Sequence, residues 1–307
     1  MLIEINWEAI MNHTAKATLA ALLGYSIFGF SFLFTKIALG VATPLVLISV
    51  RFLVAFLLLN LLLLLGKKRL SLKGKPVGKL LLLGLVQPVL YFVLESYGVA
   101  LTTAAFSGLM LGLVPVIGLV LGVLFLKESC TKLQALCTVL SVAGVAITGT
   151  GGFGGNSPLG VVLLLGTAVC AALFTILSRS TAEHFSAFER TYVMIGLGSF
   201  AFTAAALMQN RSDLSALAEP LSRWEFWGPV LYLAAVSSIG AFLLLNYALN
   251  HISVGKTVIF SNYCTVVSVL AGILILGERF TLLQLAGVVL IVLSAFGVSW
   301  PKQSKLS

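Results

Sequence analysis

One apolar stretch of the chain carries a polar face. Gly84, Gln87, Tyr91, Glu95 and Gly98 recur at spacings of three and four, which on a helix forms a single stripe. With the apolar runs delimited below, Glu95 is the only acid inside any of them, and the single aspartate, Asp213, falls in a connection. A carboxylate that must titrate within an apolar medium would therefore be Glu95. The basic residue matched to it is Arg51, in the preceding run. Counted at about 1.5 Å per residue, Glu95 lies about 7 Å below the end of its run, and Arg51 about 9 Å below the end of its own on the same side. Three readings stay open: a structural ion pair between two helices, a site for a proton or a substrate ammonium group, or an acid snorkelling to the interface.

Other candidates are more scattered. Pro115 sits near the middle of its run, where a missing amide bends a helix and frees a carbonyl, a defect tolerated where it lines a cavity. Asn262 and Tyr263 lie mid-run, placed either to bond a substrate or to bond a neighbouring helix. Lys36 and Lys256 stand within a few residues of run ends, where long stems reach the interface. Asn246 and Asn250 read as interfacial caps or a gate. Gly108, Gly112, Gly118 and Gly122 give two GxxxG spacings, read as close packing within the fold in preference to a dimer face. His13, His184 and His251 are dispersed and the four cysteines show no CxxC spacing, so neither a metal, a cofactor nor an enzymatic centre is expected. The stretch GTGGFGGNSP at 149–158 lacks the Gly-Lys-Ser/Thr of a phosphate-binding loop and reads as a linker.

The elements that must position these residues follow from composition. Apolar residues make up 59% of the chain and charged residues 9%, against roughly a quarter charged in a soluble domain. The solvent for such a surface is a bilayer, and a crossing needs about 20 mainly apolar residues. Ten runs are read: 17–39, 45–65, 80–100, 103–126, 132–149, 159–178, 191–208, 228–249, 254–276 and 282–300. Alternating barrel strands are absent from the pattern, so the expectation is an all-α integral membrane protein with ten transmembrane helices. The first run follows a leader holding acids as well as Lys16 and reads as a retained helix. Lysine and arginine crowd alternate connections, with Lys67, Lys68, Arg69, Lys73, Lys75 and Lys79 in the second of them. That bias puts both termini in the cytoplasm and accounts for the net charge of +9 without a nucleic-acid partner.

The chain also repeats itself. A shift of 150 residues aligns Tyr97 with Tyr247, Gly122 with Gly272, Glu128 with Glu278, Thr131 with Thr281, and the Leu-Gln at 133 with that at 283. One constant offset across two helices and their link marks two homologous halves. Five helices in each half force the second to enter the membrane from the opposite side, so Glu128 and Glu278 belong to one turn used at both faces. Two inverted five-helix repeats are a common architecture of secondary transporters.

The stretches IFGFSFLFTKIALGVATPLVLISVRF, SGLMLGLVPVIGLVLGVLFLKES and LQLAGVVLIVLSAFGV resemble the EamA-type transporters of the drug/metabolite transporter superfamily. The likeness covers one unit at 17–148 and another at 159–298. Positions that carry it are Gly29, Lys36, Pro44, Arg51, Pro115, Glu128, Gly277, Glu278 and Gln284. Thr265 stands where that family has a proline, and LKES is a weaker form of the turn written LGER in the second half. The resemblance implies a carrier of small metabolites or drugs with a central cavity between halves, and export as its direction.

The expected function is thus a gradient-driven carrier working by alternating access, with Glu95, Gln87, Tyr91, Pro115, Asn262 and Tyr263 as substrate or coupling candidates and protons as a candidate coupling ion. Arg51 and Lys36 are structural candidates, or recognise an anionic group. A flippase for a lipid-linked precursor is the alternative in the same superfamily. A channel would need a continuous polar pore, and a membrane enzyme a cluster of catalytic groups.

Overall fold

The computed structural model describes residues 13–66, 70–126, 131–150, 157–253, 257, 260–279 and 281–299; among them there is no strand. The long helical elements are α1 (His13–Ala38), α2 (Pro44–Leu64), α3 (Val77–Ala100), α4 (Ala104–Leu121, continuing helical to Leu126), α5 (Lys132–Thr150), α6 (Pro158–Thr181), α7 (Ala187–Gln209), α8 (Trp224–His251), α9 (Ser261–Leu274) and α10 (Leu282–Ser299). Seven of them, α1 to α4 and α6 to α8, are long and apolar enough to cross a membrane. The other three contain shorter apolar helices, Lys132–Val145, Ser261–Leu274 and Leu282–Ala295.

The helix starts are chemically marked. Pro44 and Pro158 open α2 and α6 at the first turn, where a missing amide costs nothing. Thr103 Oγ1 accepts from the Phe106 amide at 3.2 Å and caps α4. Ser186 and Glu189 form a reciprocal capping box, so α7 begins at Ala187, earlier than the apolar run from 191. Glu189 and Arg190 therefore lie in a helix, and Glu95 is not the only acid so placed. At α5 and α10 the repeat is visible atom by atom. The Thr131 amide donates to Gln134 Oε1 at 3.0 Å and the Gln134 amide to Thr131 Oγ1 at 3.2 Å. Thr281 and Gln284 make the same two bonds at 2.9 and 3.2 Å.

Three helices are interrupted. α3 loosens into a π-helical stretch at Leu85–Leu90, where Gln87 leaves helical geometry altogether at φ −144°, ψ 114° beside Pro88. α8 does so at Tyr232–Ala241. These segments are repeat-related, since Gln87 and Pro88 align with Ser237 and Ser238 under the 150-residue shift. α4 breaks between Leu111 and Val114. Pro115 thus stands in the first turn of the second piece, where its ring needs no bond removed, and the break comes just before it instead of at a bend centred on it.

Helices before and after the glycine-rich link interlock. α1 packs on α8 and α9, α2 on α7 and α8, α3 on α6, α4 on α9, and α5 on α10. Small residues permit this closeness. A Cβ at Gly29 would lie 2.7 Å from the Cys264 carbonyl oxygen of α9. At the α5–α10 crossing, a Cβ on Gly144 would meet the Gly287 carbonyl oxygen at 2.9 Å, and one on Gly287 the Gly144 oxygen at 2.8 Å. Gly108 and Gly112 likewise face α9, at Ser268 and Thr265, which is packing inside the fold; Gly118 has nothing within 4 Å.

Two ends of the bundle are distinguished by their contacts. At one, Lys75 bonds Glu189 at 2.8 Å, and the His13 and His251 rings stack at 5.9 Å. At the other, Ala104 and Ala105 donate their amides to Glu278 Oε1 and Oε2 at 2.7 and 2.9 Å, and the Ser157 amide donates to the Leu101 carbonyl at 2.8 Å. α1 begins at the Lys75 end and α6 at the Glu278 end. Glu128 and Lys256 lie outside the described residues.

Candidate functional site: a cavity between the two sets of helices

The break in α3 turns Gln87 and Tyr91 toward the middle of the bundle. There a narrow cavity of about 30 Å³ opens, room for a water or two and below the range usual for a bound small molecule. From the first half it is lined by Tyr25 and Phe28 of α1, Gln87 and Tyr91 of α3, and Leu111 and Val114 of α4. The second half contributes Ala171, Phe174 and Thr175 of α6, Leu245 of α8, and Ser261 and Cys264 of α9. Among the described residues, no charged side chain lines it.

The polar atoms in this wall are sparsely used. Gln87 is buried, and its carbonyl oxygen has no hydrogen-bond partner among the described residues. Thr175 Oγ1 donates to the Ala172 carbonyl of its own helix at 2.7 Å. Cys264 is a free, buried thiol.

The expected stripe on α3 is buried throughout, Glu95 being 2% exposed. That burial removes the snorkelling reading. Its hydrogen bond among the described residues comes from Ser96 Oγ at 3.3 Å. Arg51 does not pair with it: the ion pairs among the described residues are Lys75–Glu189 and Arg223–Glu219. Instead Arg51 Nε and Nη2 donate to Ser238 Oγ and Ser237 Oγ of α8 at 2.8 and 2.9 Å. Its guanidinium carbon lies 4.4 Å from the Phe92 ring centre, a cation–π arrangement. Ser31 Oγ of α1 completes the cluster by donating to Ser237 Oγ at 2.8 Å. Equal depth in the sequence thus did not make a pair, because two serines of a distant helix satisfy the guanidinium.

Neither Glu95 nor Arg51 lines the cavity, and neither does Pro115. Asn262 does not line it either; it is buried, with both amide atoms unpartnered among the described residues. Tyr263 points elsewhere, 41% exposed and stacked with Phe260, which corrects its placement among substrate-facing residues.

Lys36 closes the end of α3. Its Nζ donates to the Val99 carbonyl at 3.0 Å and to the Thr102 carbonyl, so it caps a helix C-terminus. Arg179, in the last turn of α6, donates in the same way to the Leu249 carbonyl of α8. Val99 and Leu249 are equivalent under the 150-residue shift. Sequence reading missed this second cap, and also Arg190, a fully buried cation held by Ser178 of α6 and by Asn246 and Asn250 of α8. Those two asparagines hold a cation in place.

The profile of the EamA-like transporter family matches this chain twice, over residues 15–150 and 158–300. The chain belongs to the EamA-like transporter family. An uncharacterized transporter named YcxC from Bacillus subtilis (strain 168) is 32% identical over 294 residues, covering 94% of each chain. An uncharacterized transporter of Archaeoglobus fulgidus is 24% identical over 92% of this chain and 98% of its own. A solved crystal structure with 20% identity superposes with a TM-score of 0.63 over 92% of this chain and 95% of its own, which speaks for the fold alone. As an EamA-like protein, the chain is a multi-pass membrane transporter with a small-molecule substrate.

Proposed function

We propose that the protein is a secondary carrier that moves a small metabolite by alternating access through the cavity between its halves, and not an enzyme or a channel. In this reading all ten helices cross the cell membrane as two inverted five-helix repeats, with both termini cytoplasmic and the Lys75 end facing the cytoplasm. The direction taken with it is export, by analogy with the resemblance alone. The observation that carries the proposal is the cavity wall, which is drawn from α1, α3 and α4 of the first half and α6, α8 and α9 of the second. A ligand held by both halves biases whichever arrangement gives it the better contacts, which is what a rocking mechanism requires. Glu95, buried with Ser96 as its hydrogen-bond donor, is the coupling carboxylate of this scheme, and protons the coupling ion.

Cys264 offers a test that needs no known substrate. In a variant whose other three cysteines are alanine, a small membrane-impermeant thiol reagent should label Cys264 from either face, in right-side-out and in inverted vesicles, at separately measurable rates. Labelling from neither face, or ion conductance through the protein accompanying it, would overturn the carrier.

A further inference from the structure

The lining of the cavity narrows the kind of molecule it takes. Four aromatic rings, Tyr25, Phe28, Tyr91 and Phe174, stand in the wall, and rings favour stacked or edge-on contact with another flat ring. Among the described residues, no lysine, arginine, aspartate or glutamate lines the space. An amino-acid zwitterion would have to surrender the hydration of two full charges with no opposite charge to meet either. A sugar would set its many hydroxyls against a wall made mostly of rings and aliphatic side chains. A cation is opposed by Arg51, whose guanidinium carbon lies 4.4 Å from the Phe92 ring centre, a ring that itself packs 4.8 Å from Tyr91.

One atom states what the ligand must supply. Gln87 lines the cavity, and its side-chain oxygen is buried and accepts nothing among the described residues. A buried acceptor without a donor is costly, and the cost is removed when a ligand brings the donor. The backbone departure at Gln87 is what carries that amide off the helix path. The hydroxyls of Tyr25 and Tyr91 also enter no hydrogen bond among the described residues, so each is available to a ligand as donor or acceptor.

We propose that the cavity, widened from the about 30 Å³ it has here, binds an uncharged, planar aromatic or heteroaromatic molecule that donates an N–H or O–H to Gln87. The proposal rests on the reading of this cavity as the transport site and specifies its substrate class.

The test uses matched probes on the full-length protein purified in detergent, with binding followed by thermal shift and by titration. 2-Quinolone is neutral and flat and carries one N–H; its N-methyl derivative differs by losing that donor. N-methylquinolinium is the flat cation, and phenylalanine the aromatic zwitterion. The expected result is that 2-quinolone binds about tenfold more tightly than its N-methyl derivative, the ratio one good hydrogen bond gives. It should also bind more tightly than the cation and the zwitterion. In Gln87→Leu or Gln87→Met the ratio should collapse to about one. Tighter binding of N-methylquinolinium or phenylalanine would overturn the proposal. So would a ratio unchanged in a folded Gln87 variant, or no binding by 2-quinolone at millimolar concentration. If neither Gln87 variant folds, a wild-type ratio near one is itself the refutation and a ratio near ten the support. A separate variant, Ala171→Trp, fills the cavity from α6. If it abolishes binding of whichever probe wins, the cavity remains the ligand site and only the class is at stake; if it folds and binds as the wild type does, the carrier reading fails as well.

Discussion

The two irregular segments, Leu85–Leu90 in α3 and Tyr232–Ala241 in α8, occupy equivalent places in the repeat and use the same backbone device in opposite ways. In α8 the residues at the break are consumed: Ser237 and Ser238 receive Arg51 at 2.9 and 2.8 Å, and Ser31 donates to Ser237 at 2.8 Å. In α3 the corresponding Gln87 lines the cavity, and its carbonyl has no partner among the described residues. A helix interruption inside a membrane frees backbone groups and admits side chains to the interior. Here one copy is spent on holding α2 to α8, and the other is left open toward a ligand. Duplication supplied two such sites, and only one needed to stay reactive.

The contrast makes distinct demands on stability. The largest loss should follow Arg51→Ala, which empties a fully buried volume and strips two serines of their donor; a fall of about 3 kcal/mol in unfolding free energy in detergent is expected. Arg51→Lys should recover only part of it, because an ammonium group cannot reproduce a fork that meets two hydroxyls and lies against a ring. Next comes the pair Ser237→Ala with Ser238→Ala, which leaves the guanidinium buried without these acceptors and should cost about 2 kcal/mol. A loss near zero would mean that water or another acceptor takes their place, and the closed character of this segment would be lost from the comparison.

Smaller effects sharpen it further. Lys36→Met and Arg179→Met each remove a cap from the third helix of a half. About 1 kcal/mol is expected at half-buried Lys36 and less at exposed Arg179. Thermal unfolding of the two single variants and the double would show whether the caps act independently, as their separation at opposite ends implies. The smallest effect belongs to Gln87→Leu. Removing an unsatisfied buried carbonyl should leave unfolding free energy within about 1 kcal/mol of wild type, and on the favourable side of zero. A large destabilisation there would show that the α3 segment is as structural as its α8 counterpart.

Much of this architecture was legible before any coordinate. Seven of the ten runs lie close to helices that, among the described residues, are long and apolar enough to cross a membrane, because a lipid-facing helix must be apolar along its length. The 150-residue shift located the Thr-Leu-Gln caps, since capping needs those side chains at that spacing. What stayed hidden has a physical reason in each case. The α7 start was missed because the search began from apolar residues and Ser186 and Glu189 are polar, although their spacing is that of a capping box. Arg51 was matched to Glu95 because charge and depth are readable in a sequence, whereas the two serines that hold it lie 186 and 187 residues away and carry no such signal. The α3 break sits inside a string of leucines and valines, and only Pro88 marked it. Tyr263 and Asn262 are neighbours on one helix and differ by about 100°, a little more than a quarter turn, in facing. A run apolar on every side does not say which facing is inward.

The mutual approach of Gly144 and Gly287 bears on how the halves can move at all. Each glycine lies directly against the carbonyl oxygen of the other helix, so there is no slack along the crossing for α5 and α10 to slide past one another. Rotation about the contact is the freedom left. A swivel fixed at one crossing turns small angular steps there into displacements that grow with distance, like a hinge pin set at the edge of a door. Widening the pin with a single methyl group, as in Gly144→Ala, should therefore jam turnover more than it weakens ligand binding.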